Sequence, residues 1–89
     1  MATIVAIQDR ALGDHRVVLS DGRDAILTTV ELSLPLDQWR RLVQERSGSP
    51  VDVPEIESLT PDRREDAFRE LRAVWTRRGM ARQPGPRMA

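Results

Sequence analysis

The sequence contains no cysteine, no lysine and no tyrosine, and only three aromatic residues among its 89 positions. Without cysteine the chain cannot form disulfides, zinc–thiolate sites or a thiol nucleophile. The missing lysine and tyrosine remove two further groups that serve as nucleophiles or acid–base catalysts. No serine lies in a Gly-x-Ser-x-Gly elbow, and no glycine-rich phosphate loop or metal-ligand spacing occurs. We therefore expect no catalytic residues, no metal and no cofactor, and we predict that the protein is not an enzyme.

Long apolar runs are missing as well. No stretch approaches the roughly 18–20 apolar residues that a membrane-spanning helix needs. The N-terminal segment 1–7 is apolar but short, and it has neither a basic n-region nor a small-residue cleavage site. We expect a soluble, cytoplasmic protein that makes no membrane contact.

Charges of opposite sign are separated along the chain. The 14 basic residues are all arginine, and 14 acidic residues balance them. Residues 1–59 carry a formal charge of −4, whereas residues 60–89 carry +4. A balanced total is not typical of a general nucleic-acid binder. The separation favours contact with a partner of opposite charge or with a second copy of the chain.

Hydrophobic periodicity predicts an α+β fold in one small domain, residues 1–79, followed by a flexible tail of Arg, Pro and Gly over 80–89. The predicted elements are a three-stranded antiparallel sheet over 2–8, 15–20 and 23–34, and amphipathic helices over 35–47 and 61–78. Both helices are expected on one face of the sheet.

Trp39 and Trp75 lie on the apolar stripes of the two predicted helices. The interpretation we adopt is that both are large anchors of the core. The alternative is that one of them is partly exposed and anchors a partner, because tryptophan is enriched at binding hot spots.

Asp21-Gly22 predicts a two-residue hairpin turn, since a type I′ turn needs positive φ at both central positions. This register fixes which side chains face the helices. The residues predicted on the core face are Val17, Leu19, Ile26, Val30, Leu32 and Leu34. The opposite face then carries an apolar island, a candidate contact surface, which consists of Val18, Ala25 and Leu27.

His15 is the only histidine, and three aspartates lie near it in sequence or in register: Asp9, Asp14 and Asp24. One imidazole with loop carboxylates is a weak indication of a metal or acid–base site. We interpret His15 as a rim residue beside Thr28, at the start of a strand.

Residues 28–43 resemble the strand and first helix of ribbon-helix-helix repressors, in which a strand enters the major groove of DNA. The resemblance implies that Thr29, Glu31 and Ser33 face the DNA, where the Glu31 carboxylate would meet phosphates. A twelve-residue segment, 48–59, separates the two predicted helices here, which is longer than that family expects. We do not assign the chain to the family.

The C-terminal arginines form a cluster without acidic members, namely Arg77, Arg78, Arg82 and Arg87. Such a cluster can track phosphates or dock on carboxylates, and the other interpretation is a solubilising helix end. We predict a non-catalytic protein–protein interaction module, a small accessory, adaptor or assembly component of the kind that phages and mobile elements encode. It would bind another protein or its own copy through the apolar island and the residues Arg77, Arg78 and Arg82. The alternative is a small nucleic-acid-binding regulator that uses the arginine-rich C-terminal helix and tail.

Overall fold

The computed structural model describes residues 1–82 and the side chains of these residues, except those of Ala11, Ala81 and Arg82. The elements, in chain order, are β1 (Ala2–Asp9), β2 (Asp14–Leu19), β3 (Asp24–Thr28), α1 (Thr29–Leu32), α2 (Leu36–Ser47), β4 (Val51–Asp52), α3 (Pro54–Glu57) and α4 (Pro61–Arg82). A 3₁₀ turn, Ala11–Gly13, joins β1 to β2. The predicted α+β class is confirmed.

The strands form a single sheet in the order β3-β2-β1-β4. The pairs β1–β2 and β2–β3 are antiparallel, as predicted, while β4 runs parallel to β1. Strand β4 contributes only two residues, Val51 and Asp52, which pair with Ala2 and Thr3. So short a strand has no alternation to detect, and it lies in a breaker-rich segment; for this reason the sequence did not predict it.

The hairpin turn lies where the sequence predicted it, but the predicted register is wrong by one residue. The amide of Gly22 donates to the carbonyl of Leu19 at 3.1 Å, and the amide of Leu19 donates to the carbonyl of Arg23 at 2.9 Å. The loop therefore has three residues, with Gly22 at φ 90° in the bulge position. Val17 pairs with Ala25 instead of Ile26.

A shift of one residue exchanges the two faces of a strand. Ala25 and Leu27, predicted on the open face, are buried in the core. Ile26, predicted in the core, is half-buried on the opposite face, on the side of Val18. The predicted positions of Val17 and Leu19 are confirmed, because β2 keeps its orientation.

Strand β3 is also shorter than predicted, because a capping box ends it. The Thr28 hydroxyl accepts the amide of Glu31, and the Glu31 carboxylate accepts the amide of Thr28. These bonds start α1, so residues 29–32 are helical. Val30, predicted in the core, is exposed. A helix here removes the extended segment on which the resemblance to ribbon-helix-helix repressors depends.

Helices α2 and α4 pack on one face of the sheet, and an aromatic cluster joins them. The rings of Trp39 and Trp75 stack with centroids 5.9 Å apart, and Phe68 meets Trp39 edge-on at 5.0 Å. All three side chains are buried, which confirms the tryptophans as core anchors. Their indole N–H groups have no hydrogen-bond partner among the described residues. The free energy gained by burying the rings must therefore offset the cost of removing these N–H groups from water.

Helix α4 continues to Arg82, past its predicted end at residue 78. Gly79, the residue after the predicted end, lies inside the helix and is buried against β1. A Cβ atom there would come within 1.8 Å of the Ile7 carbonyl oxygen. Glycine is required because the helix crosses the strand backbone at that point. Of the predicted tail, residues 80–82 are helical, and 83–89, including Arg87, lie outside the described residues.

Candidate functional site

The structure removes most of the predicted apolar island. Ala25 is 2% exposed and Leu27 is 0% exposed, so neither offers surface to a partner. Val18 remains on the sheet face opposite the helices, where it is half-buried. On the same face an ion pair links Arg16 and Asp24 at 2.6 Å. This face is less apolar than the sequence suggested.

The predicted arginine cluster is described in part. Arg77 and Arg78 are exposed on the last turns of α4. Arg82 ends the helix, but its side chain lies outside the described atoms, as does all of Arg87. The two described arginines are adjacent in sequence, so they project about 100° apart around the helix.

A hydrogen-bond network surrounds His15 where β1, β2 and α1 meet. The Nδ1 atom of His15 lies 2.9 Å from a carboxylate oxygen of Asp9, and its Nε2 atom lies 3.1 Å from the hydroxyl oxygen of Thr29. The Thr29 hydroxyl donates to the carbonyl oxygen of Gly13 at 3.0 Å. We call Asp9, Gly13, His15 and Thr29 the His15 network.

Local sequence explains how these residues meet. Asp9 is the antiparallel partner of His15 across the β1–β2 pair, so both side chains lie on the same face. Thr29 follows the capping residue of α1, which brings its hydroxyl to the opposite side of the imidazole. Of the aspartates that the sequence grouped with His15, the structure brings Asp9 to it and pairs Asp24 with Arg16. Thr29, not Thr28, is the threonine at its side.

The order carboxylate, imidazole, hydroxyl is that of a nucleophile relay. In this site, however, the Thr29 hydroxyl also lies within hydrogen-bond range of the Gly13 carbonyl, which only accepts. A hydroxyl has one hydrogen, so a bond to Gly13 leaves none for the imidazole. The arrangement therefore joins the 3₁₀ turn to α1 through a chain of polar contacts.

Two exposed aliphatic side chains flank the network. Leu12 precedes Gly13 and is 100% exposed, and Val30 follows Thr29 and is 78% exposed. The bond between Gly13 and Thr29 holds the two segments together. We call Leu12 and Val30 the Leu12 patch.

Leu12 also has an unusual backbone. Its φ of 67° and ψ of 26° are left-handed, a conformation that costs a non-glycine residue about 1–2 kcal/mol. The amide of Arg10 donates to the carbonyl of Asp14 at 2.8 Å and closes the loop around this residue. Sequence reasoning placed a loop at 9–14 but had no signal for a strained leucine at its tip.

A shallow pocket of about 100 Å³ lies between α2, α3 and α4. Its lining residues are Leu36, Asp37, Arg40, Ile56, Glu57 and Arg64. Arg40 pairs with Glu57 at 2.8 Å, and Arg64 donates to the carbonyl of Leu59 at 3.0 Å. Because its cationic groups bond to the chain itself, the pocket is an inter-helix junction and a weaker candidate than the Leu12 patch.

Within residues 1–82, no three His, Asp or Glu side chains are grouped so that they could hold a metal ion. Over the same residues, no helix combines the length and apolarity that crossing a bilayer demands. No protein-family model, no curated protein and no solved structure matches this chain.

Proposed function

We propose that this domain is a non-catalytic protein–protein interaction module that binds another protein through the Leu12 patch. The observation that supports this most is a fully exposed leucine in a left-handed backbone. Val30, which follows the threonine that bonds to the same 3₁₀ turn, is also exposed. A single exposed aliphatic residue is ordinary on a protein surface. The combination of exposure with a strained backbone is not ordinary, and backbone strain concentrates at ligand-binding segments.

The size of the patch defines the class of partner. A stable interface between two equal protein surfaces buries about 1,200–2,000 Å² in total, which two aliphatic side chains cannot supply. A protruding leucine instead suits a concave apolar pocket that surrounds it and excludes water. The proposed partner is therefore a different protein with such a pocket, and self-association is an alternative outcome of the test.

Crosslinking from within the patch tests the proposal. A photoreactive residue is placed at position 12 and, as a matched control, at Glu55, which is exposed on α3. In cells of the source organism we expect one protein to be crosslinked from position 12 and not from position 55. With that protein purified, Leu12→Asn should weaken binding at least about tenfold, and Glu55→Gln should leave it unchanged. Identical adducts from both positions, or adducts only between copies of the chain, would contradict the proposal.

The exposed Arg77 and Arg78 support a second candidate, a nucleic-acid-binding regulator. Arginine contacts with phosphates make binding fall with added salt, by about tenfold between 50 and 200 mM for two such contacts. Fluorescence anisotropy with DNA and RNA oligonucleotides tests this, with an Arg77→Gln/Arg78→Gln double variant as the comparison. Binding that is absent at low salt, or equal in the double variant, removes this candidate.

A further inference from the structure

We infer that the His15 network is a pH-dependent latch that holds the Leu12 loop, residues 10–14, against α1 when the imidazole is protonated. Its biological meaning rests on the proposed function, because the loop carries half of the Leu12 patch. The physical inference itself concerns only contacts within the chain.

Counting hydrogens shows why the charge of His15 matters. The carboxylate of Asp9 only accepts, so its contact with Nδ1 needs a hydrogen on that nitrogen. The Thr29 hydroxyl has one hydrogen, which it donates in a hydrogen bond to the carbonyl of Gly13. The contact between Nε2 and the Thr29 oxygen then needs a hydrogen on Nε2 as well. All three bonds form together only in the imidazolium.

The neutral ring must lose one of the three bonds. With a hydrogen on Nδ1 alone, Thr29 can satisfy Nε2 only by turning its hydroxyl away from Gly13, which releases the 3₁₀ turn from α1. With a hydrogen on Nε2 alone, the lone pair of Nδ1 faces the Asp9 carboxylate, which pushes the end of β1 away from β2. In both neutral tautomers the Leu12 loop is therefore held less firmly against α1.

Charged groups on several elements surround the ring. Asp9 faces it from β1, Arg10 lies in the loop, and Asp14 precedes it on β2. On α1 the charged residue is Glu31, whose carboxylate is bound by Arg46 of α2 at 2.6 Å. Its cross-strand neighbour on β3 is the apolar Leu27. Asp9 is the only one of these groups for which the described contacts include a direct bond to the imidazole.

Hydrogen exchange of the Arg10 amide tests the latch, because the bond from this amide to Asp14 closes the loop. Histidine side chains change charge between about pH 5 and 8. After correction for intrinsic exchange rates, we expect protection of this amide to be about 2–10-fold greater near pH 5.5 than near pH 8, the size of one lost hydrogen bond. The amide of Gly48, which caps α2 by donating to Gln44, is the internal control and should show no such change.

Variants separate the latch from general effects of pH. His15→Gln cannot be protonated, and Thr29→Val removes the partner of Nε2, so both should abolish the pH dependence at Arg10. Equal protection of Arg10 in the wild type at both pH values would overturn the inference, as would a pH dependence that persists in folded His15→Gln. If a variant unfolds, the wild-type comparison of Arg10 with Gly48 still decides. Exchange needs no partner, so this result is independent of the crosslinking test of the proposed function.

Discussion

At the scale of single residues, Leu12 has a conformation and an environment that are both unfavourable. Its left-handed backbone crowds the Cβ atom, and its side chain, fully exposed, gains nothing from the core. Stability alone would select asparagine or glycine at this position. Residues that lower stability without a structural benefit are typical of binding sites.

We predict that Leu12→Asn stabilises the fold. Asparagine tolerates left-handed φ, so we expect the free energy of unfolding to rise by about 0.5–1 kcal/mol, measured by urea denaturation. Leu12→Ala is the matched control, because alanine keeps the Cβ atom and should change stability by less than about 0.5 kcal/mol. A destabilising Leu12→Asn would mean that the leucine makes contacts that its exposure does not reveal.

For Gly79 we predict a change in stability opposite to the one that helix propensity alone predicts. In an unconstrained helix, Gly→Ala stabilises by about 1 kcal/mol. Here the added Cβ would overlap the backbone of Ile7, which cannot rotate away, so we expect Gly79→Ala to destabilise by about 3 kcal/mol. Thermal and urea unfolding measure the effect, and Ala73→Gly on the exposed side of α4 should cost only about 1 kcal/mol. A stabilised Gly79→Ala would show that α4 does not cross β1 this closely.

At the scale of elements, the hairpin shows the limit of sequence reasoning. Asp-Gly suits both a two-residue turn and a three-residue loop with a glycine bulge, since both need positive φ at glycine. Both faces of β3 are apolar enough to be buried, so alternation does not choose between the registers. The three-residue loop is stabilised by Asp21, whose carboxylate accepts hydrogen bonds from the amide of Arg23 and from the hydroxyl of Ser49, 28 residues away.

The end of β3 has two opposing signals in the sequence. Thr28 and Glu31 have the spacing of a capping box, but the β-branched residues around them favour a strand. Arg46 strengthens the helical alternative, because it binds both oxygens of Glu31 and the carbonyl of Ile26 at the edge of the sheet. That contact joins three elements and cannot be read from a local window.

Glu31 should make the stability of this corner depend on pH. The bidentate bond from Arg46 lowers the pKa of Glu31 from 4.5 to about 2. Because the folded-state pKa is depressed, the stabilisation is complete above about pH 4.5 and is lost as pH falls toward 2. In Glu31→Gln, which keeps the capping geometry, the urea midpoint should fall less than in the wild type over this range. Glu45→Gln, an exposed position on α2, is the control, and equal acid sensitivity of Glu31→Gln and the wild type would contradict the prediction.

At the scale of the whole molecule, long periodic segments predicted the structure better than short ones. The stripes of α2 and α4 placed Trp39 and Trp75 in the core correctly, because a 3.6-residue period repeated over several turns is a strong signal. In the His15 network, the sequence grouped Asp9 with His15 but did not predict Thr29, because the start of α1 at that residue was not predicted. Only the fold brings Asp9, His15 and Thr29 together.

Arg72 links α4 to the end of α1 and to the turn that follows it. Its guanidinium stacks over Phe68 at 4.4 Å. It also donates to the carbonyls of Leu32, the last residue of α1, and of Leu34, in the turn that follows. Burial lowers the pKa of Arg72, yet arginine keeps its charge at all ordinary pH values. Arg72→Met keeps the stem but leaves both half-buried carbonyls without their donor, so we expect a loss of about 2 kcal/mol in the free energy of unfolding.

Arg69→Met is the matched control for this variant. Arg69 lies on the same helix with a side chain 73% exposed and an ion pair to Asp66 at 3.6 Å, and exposed pairs of this kind contribute at most about 1 kcal/mol. If the two variants lose the same free energy of unfolding in urea denaturation, water replaces Arg72 as the donor to the two carbonyls. The turn is then held by apolar packing alone. A loss specific to Arg72→Met would instead establish that one half-buried cation positions α1, and with it Val30 and Thr29, relative to the rest of the molecule.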